Sequence, residues 1–482
     1  MKTLVLFHRL DLTDLFAPVG AVLAADLRIV HLAFGPDEVA RLRAMGVTGP
    51  ITVFQDEIRR LHPSSRLDPD LLAEIDALFL RQTGGAFTLN GALQSDRGFS
   101  LLSYDDALRL TVTYHRFWSA FLAEHDANLV VHETCSLMLN FIPAMLCADR
   151  GGHYLYAIMA QGPGAGFQHL LMSGFDFNCP DLDRALQAVE SGTLPVDATA
   201  CAAFLDTYRQ SFSVFLASAF KPPSLARLAL ATAYRPIRML RNGNPHDPVL
   251  ENIDYWQEER KVAQIRLFNR LRYSREVRFD AFDPDHPYYF YPLHLEPEAV
   301  LLYHAHGIYT NQIKLIQNIA AQLPPGVLLY VKDHPHDHGY RSADDYLALK
   351  AVPNIRLLDN TESGKKITAH AKGVITLTGT AGFEAMLLGK QVFTLGKTFY
   401  SAGPDVIYLR NIRDLRQALY DAATRPPVQD ADLYPYLTAY FAALKPGLTD
   451  FFAGRAPKYG IDLAQNAQVV AAGLLATVQD LA

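Results

Sequence analysis

The sequence predicts an α/β protein with two doubly wound parallel-sheet domains facing a cleft and a helical connecting segment between them. Three observations carry this. In both halves of the chain, short apolar runs of strand length alternate with amphipathic stretches of helix length, the mark of βαβ units whose sheet is covered on both faces. Between Leu194 and Arg278 the alternation gives way to helical patterning, broken by Pro222-Pro223 and by Asn242-Gly243-Asn244-Pro245. A chain of 482 residues also exceeds one ordinary domain of about 100–200 residues.

The elements follow in order. Residues 3–8 read as a buried strand, 15–25 as a helix, 27–33 as a strand, 36–45 as a helix and 51–54 as a third strand. The stretch 63–97, with Gln82-Thr83-Gly84-Gly85, reads as an insertion or lid. Residues 104–124 form a long amphipathic helix, 128–132 a strand, 136–149 a helix and 154–159 a strand. After Asp283-Pro284-Asp285 strands are expected at 288–292, 327–332, 355–358, 373–377 and 392–395. Helices are expected at 307–323, 340–350, 364–370 and 381–388, and closing helices at 435–444 and 462–481. The resulting division is 1–193, 194–284, 285–430 and 431–482. Parallel sheets place ligands at the carboxyl ends of their strands, so a cleft between the two sheet domains is the expected site.

Composition narrows the class. Half of the residues are hydrophobic and one fifth charged, which excludes a disordered chain and a disulfide-stapled miniprotein. The net charge of −6 argues against a generally nucleic-acid-binding surface. It conceals a basic middle: Lys221 to Arg278 holds twelve Lys or Arg against six Asp or Glu, a solvated helical face or a contact with an anionic surface. Cys135, Cys147, Cys179 and Cys201 have neither C-x-x-C nor zinc-ligand spacing and read as buried thiols in a reducing compartment. The apolar run at Leu4 to Phe7 is too short for a signal sequence. Residues 225–234, interrupted by Arg227, fall short of a membrane span. The expected location is cytoplasmic, or peripheral on the inner face of the plasma membrane.

Three segments carry candidate chemistry. Thr378-Gly379-Thr380-Ala381-Gly382-Phe383-Glu384 follows a strand and opens a helix. Its small residues admit a ligand to the backbone, its first N–H groups face an anion, and Glu384 is placed to accept from ribose hydroxyls. An ordinary N-cap is the plainer alternative. Lys332-Asp333-His334-Pro335-His336-Asp337-His338 ends the next-but-two strand upstream, with a counter-ion and proton donors for phosphate; the proline argues against a continuous strand that would align three histidines on a metal. Tyr291 to Glu298 adds His294 and Glu298 to the same rim. In the first half Glu133 follows a strand, where a general base or nucleophile would stand, with His8 and His132 as weaker candidates. Gly162-Pro163-Gly164-Ala165-Gly166 lacks the strand-to-helix context of a dinucleotide fingerprint.

Taken together, PLHLEPE (292–298), VKDHP (331–335) and TLTGTAGFEAMLLGKQVFTLG (376–396) resemble the capsule polysaccharide biosynthesis family of bacterial surface-glycan glycosyltransferases, whose members carry PLHxQPE-, VKEHP- and TGTAGxEAxxxGKPVxxFG-like segments in that order. The resemblance spans residues 285–405 and departs at Glu296 and Asp333. It implies a GT-B-like fold of two Rossmann-like domains, with a nucleotide-sugar donor, CMP-Kdo in some members, on the second. His334-Pro335 and Thr378 to Gly382 would bind the nucleotide. No cofactor is expected: transfer would be metal-independent, with Lys332 and His334 offsetting leaving-group charge and Glu133 acting on the acceptor. A CMP-sugar is favoured and a UDP-sugar is the alternative donor. The expected partners are a glycan or lipid-linked glycan acceptor, an anionic membrane surface and other capsule-assembly proteins, without nucleic acid. The rival readings are an epimerase or hydrolase of nucleotide sugars and a non-catalytic assembly component.

Overall fold

The computed structural model describes residues 2–96, 98–99, 102–163, 169–210, 255–296, 303–305, 307–334, 337, 339–449 and 462–481, with single positions between 224 and 233; for 255–264 it describes the backbone alone. The chain divides into two compact units, Met1–Ala200 with Leu437–Ala482, and Cys201–Tyr436.

The first unit is built on β1 (Thr3–His8), β2 (Arg28–Ala33), β3 (Ile51–Val53), β4 (Leu129–Val131), β5 (His153–Ala160), β6 (His169–Ser173) and β13 (Lys445–Pro446) in the order β13-β6-β5-β4-β1-β2-β3. β1 is central and every one of its residues is buried, as an uninterrupted apolar run demands of a strand covered on both faces. The helices Leu12–Leu23 and Leu463–Asp480 pack on one face, closing a core of Leu4, Leu6, Phe16, Val131, Leu170 and Leu474. Tyr104–Glu124 lies where its periodicity predicts it. Ser103 starts it by accepting the Asp106 N–H, and Asp105 and Asp106 favour its positive end.

The second unit has β7 (Tyr288–Pro292), β8 (Leu328–Lys332), β9 (Ile355–Leu358), β10 (Gly373–Thr376), β11 (Gln391–Thr394) and β12 (Val406–Tyr408) in the order β12-β11-β10-β7-β8-β9, every neighbouring pair parallel. Its helices Gln312–Gln322, Ala343–Lys350 and Leu415–Ala423 bury Leu315, Ile316, Ile319, Leu349 and Leu419 against Leu329, Val331 and Ile375.

The structure corrects several expectations. β6 and β13 are antiparallel to their neighbours, so the first sheet is mixed; the connection 161–168 is too short for the dozen or more residues of a parallel crossover. The stretch 63–97 contains the helices Pro69–Thr83 and Leu89–Ser95 instead of a lid. Asp68 caps the first, Gly84 ends it in the left-handed region (φ 61°), and Phe79 and Phe87 pack on Phe141 of the helix Met138–Asp149. The helix expected from residue 307 starts at Gln312, where Asn311 accepts the Lys314 N–H. The closing residues set apart as 431–482 are not a unit of their own: Asp430–Ala443 spans the division and Leu463–Asp480 returns to the first sheet, because its apolar stripe needs the face beside Leu12–Leu23. Most of the basic middle lies outside the described residues. Its last part is the helix Tyr255–Glu276, in which Arg272 pairs with Glu276 and Asp344 of the second unit.

All four cysteines are buried and none is in a disulfide. Among the described residues no helix is long and apolar enough to cross a membrane. Truncating Leu474 to Ala is expected to cost the first unit about 2–5 kcal/mol, the usual range for a buried leucine, while the second unit is unaffected; two separately monitored denaturant transitions check this.

Candidate nucleotide-binding site

In the second sheet β7, β8 and β9 step outward to one side, and β10 then returns to the opposite side of β7. The loops after β7 and β10 therefore part in opposite directions, and at such a switch point an open α/β sheet forms a crevice at its strands' carboxyl ends. His294 follows β7, His334 follows β8, and Thr378 to Ala381 follow β10. His294 Nε2 and Thr376 Oγ1 share a 3.1 Å hydrogen bond, and Thr376 Oγ1 also accepts the Gly379 N–H at 3.3 Å. Gly379 is the N-cap of the helix Thr380–Leu387 and supplies no side-chain cap, so the helix presents its first N–H groups uncapped. Thr380 is exposed and Ala381 half-buried at that end. Thr378 is buried, its Oγ1 without a hydrogen-bond partner.

The two glycines serve a purpose the sequence did not disclose. A Cβ on Gly379 would stand 2.6 Å from His294 Cε1, and one on Gly382 would collide with the Tyr400 hydroxyl, which donates to the Gly379 carbonyl at 2.5 Å. They are small because protein side chains approach them, and His294 is thereby seated against the helix start.

One arginine ties the β7 and β8 loops together. Arg341 Nε donates to Asp333 Oδ2 at 2.9 Å, Nη1 to Glu296 Oε1 at 3.2 Å and Nη2 to the His294 carbonyl at 3.1 Å. Its side chain and that of Asp333 are only 1% and 3% exposed. Asp333 also accepts the Tyr346 hydroxyl at 2.6 Å and the His334 N–H at 2.7 Å. Gln312 bonds both the N–H and the carbonyl of His294 and donates to Glu296 at 2.6 Å. The two positions where the motifs depart from the family pattern, Glu296 and Asp333, thus meet on the same guanidinium. Asp337 turns the chain into Arg341 by accepting the N–H groups of Gly339, Tyr340 and Arg341; burial, then the charge of Asp333, pushes its carboxyl up to about 6. Gly339 has φ 99°, and a Cβ there would lie 2.5 Å from the Arg266 carbonyl. Arg341 and Gln312 were not singled out in the sequence, since they lie 8 to 47 residues from the groups they hold and carry no local motif; Asp337 stood inside the 332–338 segment, but its turn-holding role was not read from it.

Other expectations change. Lys332 is 5% exposed and its Nζ donates to the Asp333 carbonyl at 3.2 Å; burial pulls its pKa down, so it is a charge behind the rim and not a phosphate ligand on it. Glu384 is half-buried and faces Lys365 and Tyr208, and burial raises its pKa. Pro335, Glu298, His336 and His338 lie outside the described residues. Among the described residues there is no group of three or more His, Cys, Asp or Glu placed to hold a metal ion.

The first unit has its own switch point, between β1 and β4. His8 is fully buried and shares a 2.9 Å hydrogen bond with His31, which removes it from the rim where the sequence placed it. Glu133 follows β4, half-buried; Arg9 Nη1 donates to its Oε1 at 2.5 Å and Tyr154 to its carbonyl at 2.7 Å. His132 Nδ1 donates to the Phe7 carbonyl at 2.9 Å.

Two α/β units of this kind, the second an all-parallel doubly wound sheet with an uncapped helix start at its switch point, define the GT-B-like class expected from the sequence. Residues 250–433 match the model of the family described as capsule polysaccharide biosynthesis protein. The resemblance carried by the three motifs is borne out by that match. No curated protein matches the chain. Among solved structures, the beta Kdo 2,7 transferase of Thermosulfurimonas dismutans KpsC is similar at 14% identity over 67% of this chain and 80% of that one (TM-score 0.30). Its beta Kdo 2,4 transferase is similar at 20% over 65% and 87% (TM-score 0.26). The UDP-GlcNAc 2-epimerase from Methanocaldococcus jannaschii is similar at 12% over 91% and 97% (TM-score 0.26).

Two outcomes test the site's construction. Arg341→Met leaves Asp333 buried and without its cation, so the second unit should lose about 3–5 kcal/mol in denaturant unfolding. His294 is held neutral, its pKa pushed down to about 3 first by burial, then by His334 and Arg341. Its contribution to stability is complete above the unfolded value of 6.5 and is lost as pH falls from there towards 3. The slope is about 1.4 kcal/mol per pH unit for one proton. His294→Gln should flatten that part of the stability–pH curve.

Proposed function

We propose that this protein is a nucleotide-sugar-dependent glycosyltransferase of surface-polysaccharide assembly, with the nucleotide held at the β7/β10 switch point of the second unit. One observation carries the reading: an uncapped helix N-terminus at Thr380 stands beside His294 and near the His334 loop, inside the stretch that matches the capsule family. The N–H groups of Thr380 and Ala381 and the Thr380 hydroxyl take phosphate oxygens, and the helix dipole favours their negative charge. His334, half-buried, stands at the rim as a donor to the departing phosphate, and Lys332 adds positive charge from behind. Glu133 on the first unit is the base assigned to the acceptor hydroxyl. In the transfer the acceptor oxygen bonds to the anomeric carbon, the carbon–oxygen bond to phosphate breaks, the nucleotide leaves with those electrons, and Glu133 receives the proton. The family resemblance favours a CMP-activated acidic sugar such as Kdo as donor, and a growing surface polysaccharide or glycolipid as acceptor. The leaving-group charge is assigned to the helix start, His334 and Lys332, so turnover is expected to persist in EDTA.

A thermal-shift screen of the full chain against CMP, UDP, GDP and their sugars identifies the base, because a ligand of the folded state raises the midpoint. Thr380 is the first helical residue, where proline is tolerated, and Gly379 already has the extended conformation (φ −70°, ψ 152°) that a following proline requires. Thr380→Pro should therefore fold normally yet bind nucleotide about ten-fold more weakly; unchanged affinity would remove the phosphate seat. Glu133→Gln should lower kcat by about 10²–10⁴-fold, the range for a general base, with nucleotide affinity intact. Rapid consumption of donor without acceptor would favour the epimerase or hydrolase instead.

A further inference from the structure

The helix Tyr255–Glu276 meets the second unit along one side. Asn269 donates to the Gly339 carbonyl at 3.1 Å, Tyr273 packs on Tyr346 with ring centroids 5.9 Å apart, and Val277, just past the helix end, is buried. Spaced four apart, these three residues form one stripe. Ile265, Phe268 and Leu271, spaced three apart, wind away from that stripe and are 50%, 61% and 39% exposed. One apolar stripe is enough to seat a helix on one unit. Single exposed apolar side chains are ordinary, but three within one short stretch of helix make the kind of patch that marks an interaction surface.

Positive charge accompanies the patch. Residues 265–278 contain five arginines and one glutamate. Arg272 is engaged with Glu276 and Asp344, and its guanidinium lies 5.9 Å from the centre of the Phe268 ring. Arg275 is two turns on from Phe268 and therefore on the same side. Arg275 and Arg278 are both exposed, and neither has an ion-pair partner among the described residues. A partner for this face must supply an apolar medium and negative charge together. A second copy of the chain would set arginines against arginines across a self-complementary contact. Residues 211–254 of the same chain carry five Lys or Arg against three Asp or Glu, which adds positive charge instead of offsetting it. A soluble polyanion would pair with the arginines and leave Phe268 in water. The surface of an anionic bilayer answers both needs, with phosphate groups for the arginines and the acyl boundary beneath them for the apolar side chains.

We propose that the outward side of this helix docks the second unit on the headgroup layer of an anionic membrane, with Ile265, Phe268 and Leu271 dipping into the interface and Arg275 and Arg278 on lipid phosphates. The inference concerns where the protein sits and stands whether or not it transfers sugars.

The test is co-sedimentation of the full-length protein with phosphatidylcholine vesicles, with and without phosphatidylglycerol. The protein should partition about ten-fold more strongly onto the vesicles containing phosphatidylglycerol, and the gain should shrink as salt is added. Arg275→Glu together with Arg278→Glu should remove the gain. Phe268→Ser should weaken partition about ten-fold by removing the inserted ring. The substituted side chains are exposed, so both variants should keep the thermal midpoint of the unaltered protein. Equal partition onto both kinds of vesicle, partition onto neither, or partition that persists in both variants overturns the proposal. A lowered midpoint in Phe268→Ser would also overturn it, by assigning this face to cover by the chain's own residues. So would a dimer in sedimentation equilibrium that the same substitution dissociates, which would assign the face to a second copy.

Discussion

A parallel strand pair cannot be closed by a tight turn. Each connection must cross a face of the sheet, usually as a helix, and the sheet becomes buried on both sides. Once β1 in the first unit and β7 in the second are laid down as central strands, the later strands β4 and β10 have to be added on the vacant side. That reversal opens a crevice at the carboxyl ends, where Glu133 and His132 follow β4, His294 follows β7 and Thr378 to Ala381 follow β10. The constraint acts on backbone hydrogen bonding, before any side chain is chosen.

Side chains then decide how firmly each crevice is held. In the second unit Arg341 ties the loops after β7 and β8 to each other, reaching Asp333, Glu296 and the His294 carbonyl together. A guanidinium suits the task because its planar fork supplies several donors in fixed directions and stays charged when buried. Such a network is costly to desolvate and costlier to leave incomplete; Glu296, where the family pattern has a neutral glutamine, adds a carboxylate facing that cation, and Asp333 keeps a carboxylate there on a shorter side chain. The basic helix Tyr255–Glu276 takes part, since Arg266 lies 4.1 Å over the Tyr340 ring and Asn269 donates to the Gly339 carbonyl. At least some of the positive charge in the middle of the chain therefore holds the site's loops.

The first unit is built differently around the same kind of crevice. Its polar groups pair locally, Arg9 with Glu133 and His8 with His31, and behind them the core is left with space.

The sequence by itself determined the class of fold, most strand and helix positions, and the resemblance of the second half to the capsule polysaccharide biosynthesis family, because apolar periodicity and three ordered motifs are local properties of the chain. It also placed Thr380, His294 and His334 at strand ends. What only the tertiary structure decided depends on residues far apart in sequence. Gly379 and Gly382 answer to His294 and Tyr400, and Glu384 faces Lys365 and Tyr208. Lys332 is buried behind the rim, and the last helix returns to the first sheet. Local pattern shows that a residue is small, charged or apolar; which group it must admit, pair with or cover is set by strand order, and strand order is a property of the folded chain.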